Sequence, residues 1–110
     1  MHHGLDVASN AQMIEVLKSQ LVCEAADVTR AALSRDSRAE LIDAIGGTVL
    51  LAYALALRCG ISIAELEADV AGKAQNGIAD AHALETRYRD LSRLKKHFES
   101  GNKRGFERRE

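Results

Sequence analysis

The sequence contains no proline and no tryptophan, and only two tyrosines and two phenylalanines among its 110 residues. A β-rich domain of this size punctuates its turns with Pro and Gly and fills its strands with β-branched and aromatic side chains, so these shortages exclude an all-β fold. Cysteine is scarce as well. Cys23 and Cys59 stand in apolar stretches without CxxC spacing, which predicts buried thiols of a reducing compartment rather than a disulfide or redox pair. Zinc lacks a ligand set, because His82 and His97 are 15 residues apart and no Cys or His pair within the body of the chain has ligand spacing. The run Ala44–Leu57 is apolar apart from Gly46, Gly47 and Thr48, yet it is shorter than the about 20 residues that a bilayer requires. No charged-then-apolar leader is recognised. The expectation is a cytoplasmic protein with no membrane partner.

What is present is aliphatic and charged. Hydrophobic residues make up 46% and charged residues 28%, the balance of a soluble globular chain, and the length suits one compact domain. With 18 alanines the core must be closely spaced. The net charge of −1 is a cancellation: residues 1–85 carry 6 Lys/Arg against 12 Asp/Glu, and residues 86–110 carry 9 against 4. An acidic body precedes a basic end.

Helix starts are signalled by Ser-x-x-Glu/Gln capping boxes at Ser9–Gln12, Ser37–Glu40 and Ser62–Glu65. Stops are signalled by Gly60 and by Asn76-Gly77. The reading is all-α, with four helices at about 10–34, 38–59, 63–76 and 80–99 in a domain spanning 1–100, followed by an aperiodic, mobile basic tail at 101–110. Helix one has an apolar stripe at Ile14, Leu17, Leu21, Ala25, Val28 and Ala32. The last helix has one at Leu84, Tyr88, Leu91, Leu94 and Phe98. Helix two is apolar on every face from Leu41 to Cys59, the pattern of a helix surrounded by others. Three short neighbours do not surround it, so a helical bundle completed by homodimerisation is expected. Gly46-Gly47 inside that helix costs about 1 kcal/mol per glycine relative to alanine, which points to close backbone approach.

The carboxylates are the informative pattern. Glu24-Ala25-Ala26-Asp27 and Glu40-Leu41-Ile42-Asp43 are both ExxD, and residues three apart project from one side of a helix. If the two helices pack antiparallel through the Arg35-Asp36 turn, both pairs face one groove. Four carboxylates without Cys or His suit a hard cation such as Mg2+, which also takes water and substrate phosphates. Glu40 fits better as the capping-box glutamate of a first helical turn, while Glu24 and Asp27 fit a ligand and a solvated flank equally well. Glu24 borders the apolar stripe, so burial there demands a partner.

In these residues the chain resembles the all-α nucleotide pyrophosphohydrolases, the superfamily of MazG-like proteins and phosphoribosyl-ATP pyrophosphatase. The resemblance covers about residues 14–77. It rests on the order and spacing of Cys23–Asp27, Glu40–Asp43, the Arg58–Glu65 segment with its Gly60-Ile61-Ser62 turn, and Lys73–Asn76. It implies Mg2+-dependent hydrolysis of a nucleoside triphosphate to pyrophosphate and a nucleoside monophosphate. Glu24 and Asp27 would be catalytic, Glu24, Asp27, Glu40 and Asp43 would hold the metal, and Lys73 and Asn76 would contact substrate phosphate. Two departures stand out. Asp27 replaces the family's second Glu, and counting back from the Gly60 turn places the family's second pair on Ala44 and Gly47. The four-carboxylate set is complete only if Glu40 and Asp43 serve one turn earlier.

The alternative function is a dimeric interaction module that keeps the scaffold without metal-dependent activity. Lys73 then serves only as a cation near a helix C-terminus. Nucleic-acid binding through residues 86–110 ranks last, because Tyr88 and Phe98 fall on the apolar stripe and Asp90, Glu99, Glu107 and Glu110 dilute the basic patch.

Overall fold

The computed structural model describes the backbone of residues 2–34 and 37–108, and the side chains of 6–33 and 37–101. Five helices follow one another: α1 (His2–Ser34), α2 (Arg38–Arg58), α3 (Ile63–Ala79), α4 (Ala83–Tyr88) and α5 (Asp90–Arg108). No strand occurs among the described residues. The chain divides into two compact units, residues 1–61 and 62–110. Gly60, near the end of the first unit, has φ +81, a conformation that glycine adopts without a Cβ clash.

In the first unit α1 and α2 form an antiparallel hairpin. The direction follows from three crossings along its length: Asn10 meets Arg58, Glu24 meets Gly47, and Ala31 shares a cleft with Glu40. The connecting Arg35-Asp36 lies outside the described residues. Ser37 caps α2 by accepting a hydrogen bond from the Glu40 amide at 3.1 Å, as predicted. Ser9 does not begin a helix, since α1 starts at His2 and nothing in residues 2–8 breaks it. At the far end of the hairpin the Asn10 amide donates to the Arg58 carbonyl at 2.8 Å, which satisfies one of the orphan carbonyls at the end of α2.

The inward positions of α1 are Asn10, Ile14, Leu17, Leu21, Glu24, Val28 and Ala31, alternately four and three apart, the seam of one helix lying along another. The expected stripe is therefore displaced at two points: Ala25 and Ala32 are exposed, and Glu24 and Ala31 take the seam. Leu17, Ala44 and Ala56 are buried in it.

Within its own unit helix α2 packs on α1 alone and is not surrounded. Ile42, Ile45, Val49, Leu50 and Leu57 are exposed on its remaining faces. Both cysteines are exposed rather than buried: Cys23 lies beside the seam instead of on it, and Cys59 is the C-cap residue of α2. By length and composition α2 is also long and apolar enough to cross a bilayer: it has 21 residues, and an 18-residue stretch of it has a mean hydropathy of 1.6 with only 11% buried. The sequence estimate counted only Ala44–Leu57; the helix begins six residues earlier.

In the second unit α3 opens with a complete capping box, the Ser62 hydroxyl accepting from the Glu65 amide at 3.1 Å and the Glu65 carboxylate accepting from the Ser62 amide at 2.9 Å. It runs through Asn76-Gly77 to Ala79, past the expected stop, and ends at Asp80. Gly77 serves packing instead of termination: the Leu91 side chain of α5 occupies the space a Cβ would need. The predicted fourth helix is two helices, separated by Arg89 with φ 59, and α4 is preceded by Ala81 with φ 56. Its expected stripe holds at Leu91 and Phe98, while Leu84, Tyr88 and Leu94 are exposed. Helix α5 continues through Gly101 to Arg108, so the segment read as an aperiodic tail is helical over those residues. Arg109-Glu110 and the side chains beyond Gly101 lie outside the described residues.

Candidate functional site

The hairpin brings the two ExxD segments to one place. Glu24, Asp27, Glu40 and Asp43 line a single open cleft of about 410 Å³, together with Arg30, Ala31 and Ala44. The antiparallel packing determines this, because Glu24 and Asp27 near the C-terminal end of α1 meet the first turns of α2. Glu24 and Asp27 are half-buried, and Glu40 and Asp43 are exposed.

The four carboxylates are not equivalent. Asp27 is ion-paired with Arg30 one turn on in the same helix. Glu24, Glu40 and Asp43 have no ion-pair partner among the described residues. Glu24 also has no hydrogen-bond partner there; what it has is space. A Cβ built on Gly47 would come within 2.9 Å of Glu24 Oε2, so the carboxylate rests against the bare helix backbone where any other residue would project. Gly46, its neighbour, has nothing within 4 Å of such a Cβ. Gly47 thus serves a side chain, not the close approach of a second backbone, and Gly46 serves neither. Ala44 and Gly47, the positions that the register from Gly60 assigns to the second acidic pair, do face Glu24 and the cleft. Glu40 and Asp43 stand one turn further along, at the Asp27 end.

An all-carboxylate donor set with one guanidinium fits a hard cation by charge and chemistry. No three Asp, Glu, His or Cys side chains converge closely enough to ligate an ion by themselves among the described residues. Mg2+ does not require that, since it commonly takes one or two carboxylates plus waters and substrate phosphates.

On the other side of Glu24 lies a second cleft of about 400 Å³, lined by Ser19, Gln20, Cys23, Glu24, Gly47, Leu50 and Leu51. Glu24 therefore divides a polar space from a more apolar one. Lys73 and Asn76 belong to the second unit. The Lys73 ammonium is ion-paired with Asp69 on its own helix, and Asn76 is exposed on the last turns of α3.

Two contributors were missed in the sequence. Arg30 follows Asp27 at the i,i+3 spacing of helical ion pairs and was legible on that ground. The role of Gly47 was not, since it depends on which residue of α1 lies opposite.

No curated protein and no solved structure matches the chain. A family model does, over residues 7–91, a range that contains both ExxD segments, the Gly60 turn and Lys73–Asn76. By that match the chain belongs to the MazG-like family.

Proposed function

We propose that the chain is a Mg2+-dependent nucleoside triphosphate pyrophosphohydrolase, releasing pyrophosphate and a nucleoside monophosphate. The observation that carries this reading is the acidic cleft: four carboxylates from two helices on one surface, three of them without an ion-pair partner among the described residues, in a member of the MazG-like family. Glu24, Asp27, Glu40 and Asp43 hold the cation, one or two of them directly and the others through its waters. When bound, Mg2+ neutralises phosphate charge and polarises a phosphoryl oxygen. Glu24, half-buried at the divide between the two clefts, orients the attacking water and accepts its proton, and Asp27 supports it from the next turn. Lys73 and Asn76 supply a charge and an amide to substrate phosphate. A second copy of the chain covers the exposed aliphatic face of α2, giving a homodimer, and the free thiols of Cys23 and Cys59 fit a reducing, cytoplasmic compartment.

Pyrophosphate release from a panel of canonical and modified triphosphates with Mg2+ tests the activity. Release from at least one substrate, lost in Glu24→Gln, is expected; none from any triphosphate overturns the enzyme. Sedimentation of a 12 kDa particle at micromolar concentration overturns the dimer.

A second reading has its own support. Ala44 and Gly47 face Glu24 where a second acidic pair would complete the cluster. A MazG-like module that has lost metal binding keeps the scaffold and serves as a dimeric interaction domain. Under that reading Mg2+ leaves the melting temperature unchanged, whereas binding to the folded state raises it.

A further inference from the structure

Arg30 is a cation in a cleft otherwise given to carboxylates, and it engages one of them. Its guanidinium is ion-paired with Asp27 one turn earlier on α1, and the two side chains are 71% and 48% exposed. A pair this exposed is weak and readily exchanged. Its partner is also one of the four groups that the proposed function assigns to the cation. A guanidinium is in addition the side chain whose planar donors best match a phosphate, two N–H groups to two oxygens. Lys73, the other cation considered for phosphate, belongs to the second unit and does not line this cleft.

Resting on the pyrophosphohydrolase reading, we propose that Arg30 is the phosphate-recognising residue of the acidic cleft and an internal competitor for its metal. Without phosphate it neutralises Asp27 and weakens divalent-cation binding. A phosphoryl group draws the guanidinium away and frees Asp27 for the cation. Phosphate and metal therefore strengthen each other's binding by the same factor. The exchange makes and breaks no covalent bond. It moves one guanidinium between two anions, and the fraction of chains with Asp27 free sets the apparent metal affinity.

The test measures Mn2+ affinity by the loss of its free-ion electron paramagnetic resonance signal, on the full chain, with and without inorganic phosphate. The proposal expects wild type to bind Mn2+ more tightly when phosphate is present. In Arg30→Gln, Mn2+ binding without phosphate tightens about threefold, the size of a surface ion pair, and the phosphate effect disappears. Removal of a positive charge alone would also tighten the metal, so the change must require Asp27. In an Asp27→Asn background, Arg30→Gln should leave Mn2+ affinity unchanged, while Arg30→Lys alone should keep the charge and lose most of the phosphate effect. Unchanged helicity by circular dichroism shows that each variant is folded. A phosphate effect that survives Arg30→Gln, or equal tightening with and without Asp27, overturns the role of Arg30 and leaves the pyrophosphohydrolase reading standing. Failure of wild type and Arg30→Gln alike to bind Mn2+ overturns both.

Discussion

The two units of this chain hold themselves together by different means. In the hairpin of α1 and α2 the long-range links include side chains meeting along a seam, with Leu17, Ala44 and Ala56 buried in it and a polar tie between Asn10 and Arg58. In the second unit much of the polar order is at helix ends: the Ser62/Glu65 box, the His82 side chain capping α4, and Glu85 reaching from α4 to the first turn of α5. Packing tolerates a carboxylate where a small residue stands opposite, as Glu24 and Gly47 demonstrate. Caps tolerate little apolar surface but need specific polar atoms. The candidate site lies in the unit whose seam has room for charge.

The largest effect expected from breaking this contrast is in the hairpin. Leu17→Ala should destabilise it by about 2–5 kcal/mol, the usual cost of emptying a buried leucine site, read by urea denaturation. In native-state hydrogen exchange the amides of α1 and α2 should lose protection before those of α3. A uniform loss would show that the two units unfold as one.

Ser62→Ala removes the N-cap of α3 and should cost about 1 kcal/mol, with faster exchange confined to the first turn of that helix. Equal loss of protection in α1 would count against the division.

The smallest effect expected is a pH dependence that belongs to the second unit. The Glu85 carboxylate accepts from the Ser92 hydroxyl at 2.5 Å and from the Ser92 amide at 2.9 Å, and these bonds, with a lesser contribution from nearby Arg89, hold its pKa below the ordinary glutamate value. A carboxyl group with a lowered folded-state pKa stabilises the fold above the ordinary value and loses that contribution as pH falls through the folded one. An NMR titration of Glu85 should show the lowered midpoint. Ser92→Ala should move it back up, and an unmoved midpoint would reject the assignment.

Much of the fold was legible because helices are specified locally. The Ser37 and Ser62 caps and the Gly60 turn each depend on residues within one turn, and each was found where the sequence placed it. Apart from the local Ser9 box, which lies inside α1, much of what failed depended on partners distant in sequence. Asn76-Gly77 reads as a stop until Leu91 is known to lie over the glycine. Helix α2 reads as central because composition shows that every face is apolar, not which faces are covered. Arg89 carries no sequence mark of a bend, since arginine seldom adopts positive φ. In the cleft, the ExxD spacing and a short connection were enough to bring Glu24, Asp27, Glu40 and Asp43 together. The resting place of Glu24 against Gly47 was not legible, because a one-residue change of seam register alters which side chain stands opposite.

Ala81 and Arg89 bracket α4 with two left-handed residues that are not glycine. Each conformation costs about 1–2 kcal/mol for a residue with a Cβ. Glycine at either position would relieve the clash and also let the joint swing through conformations closed to alanine and arginine. The two residues therefore act as stops on a folding rule, fixing the angles at which six residues of helix are set between two longer ones, at the expense of stability that a glycine would recover.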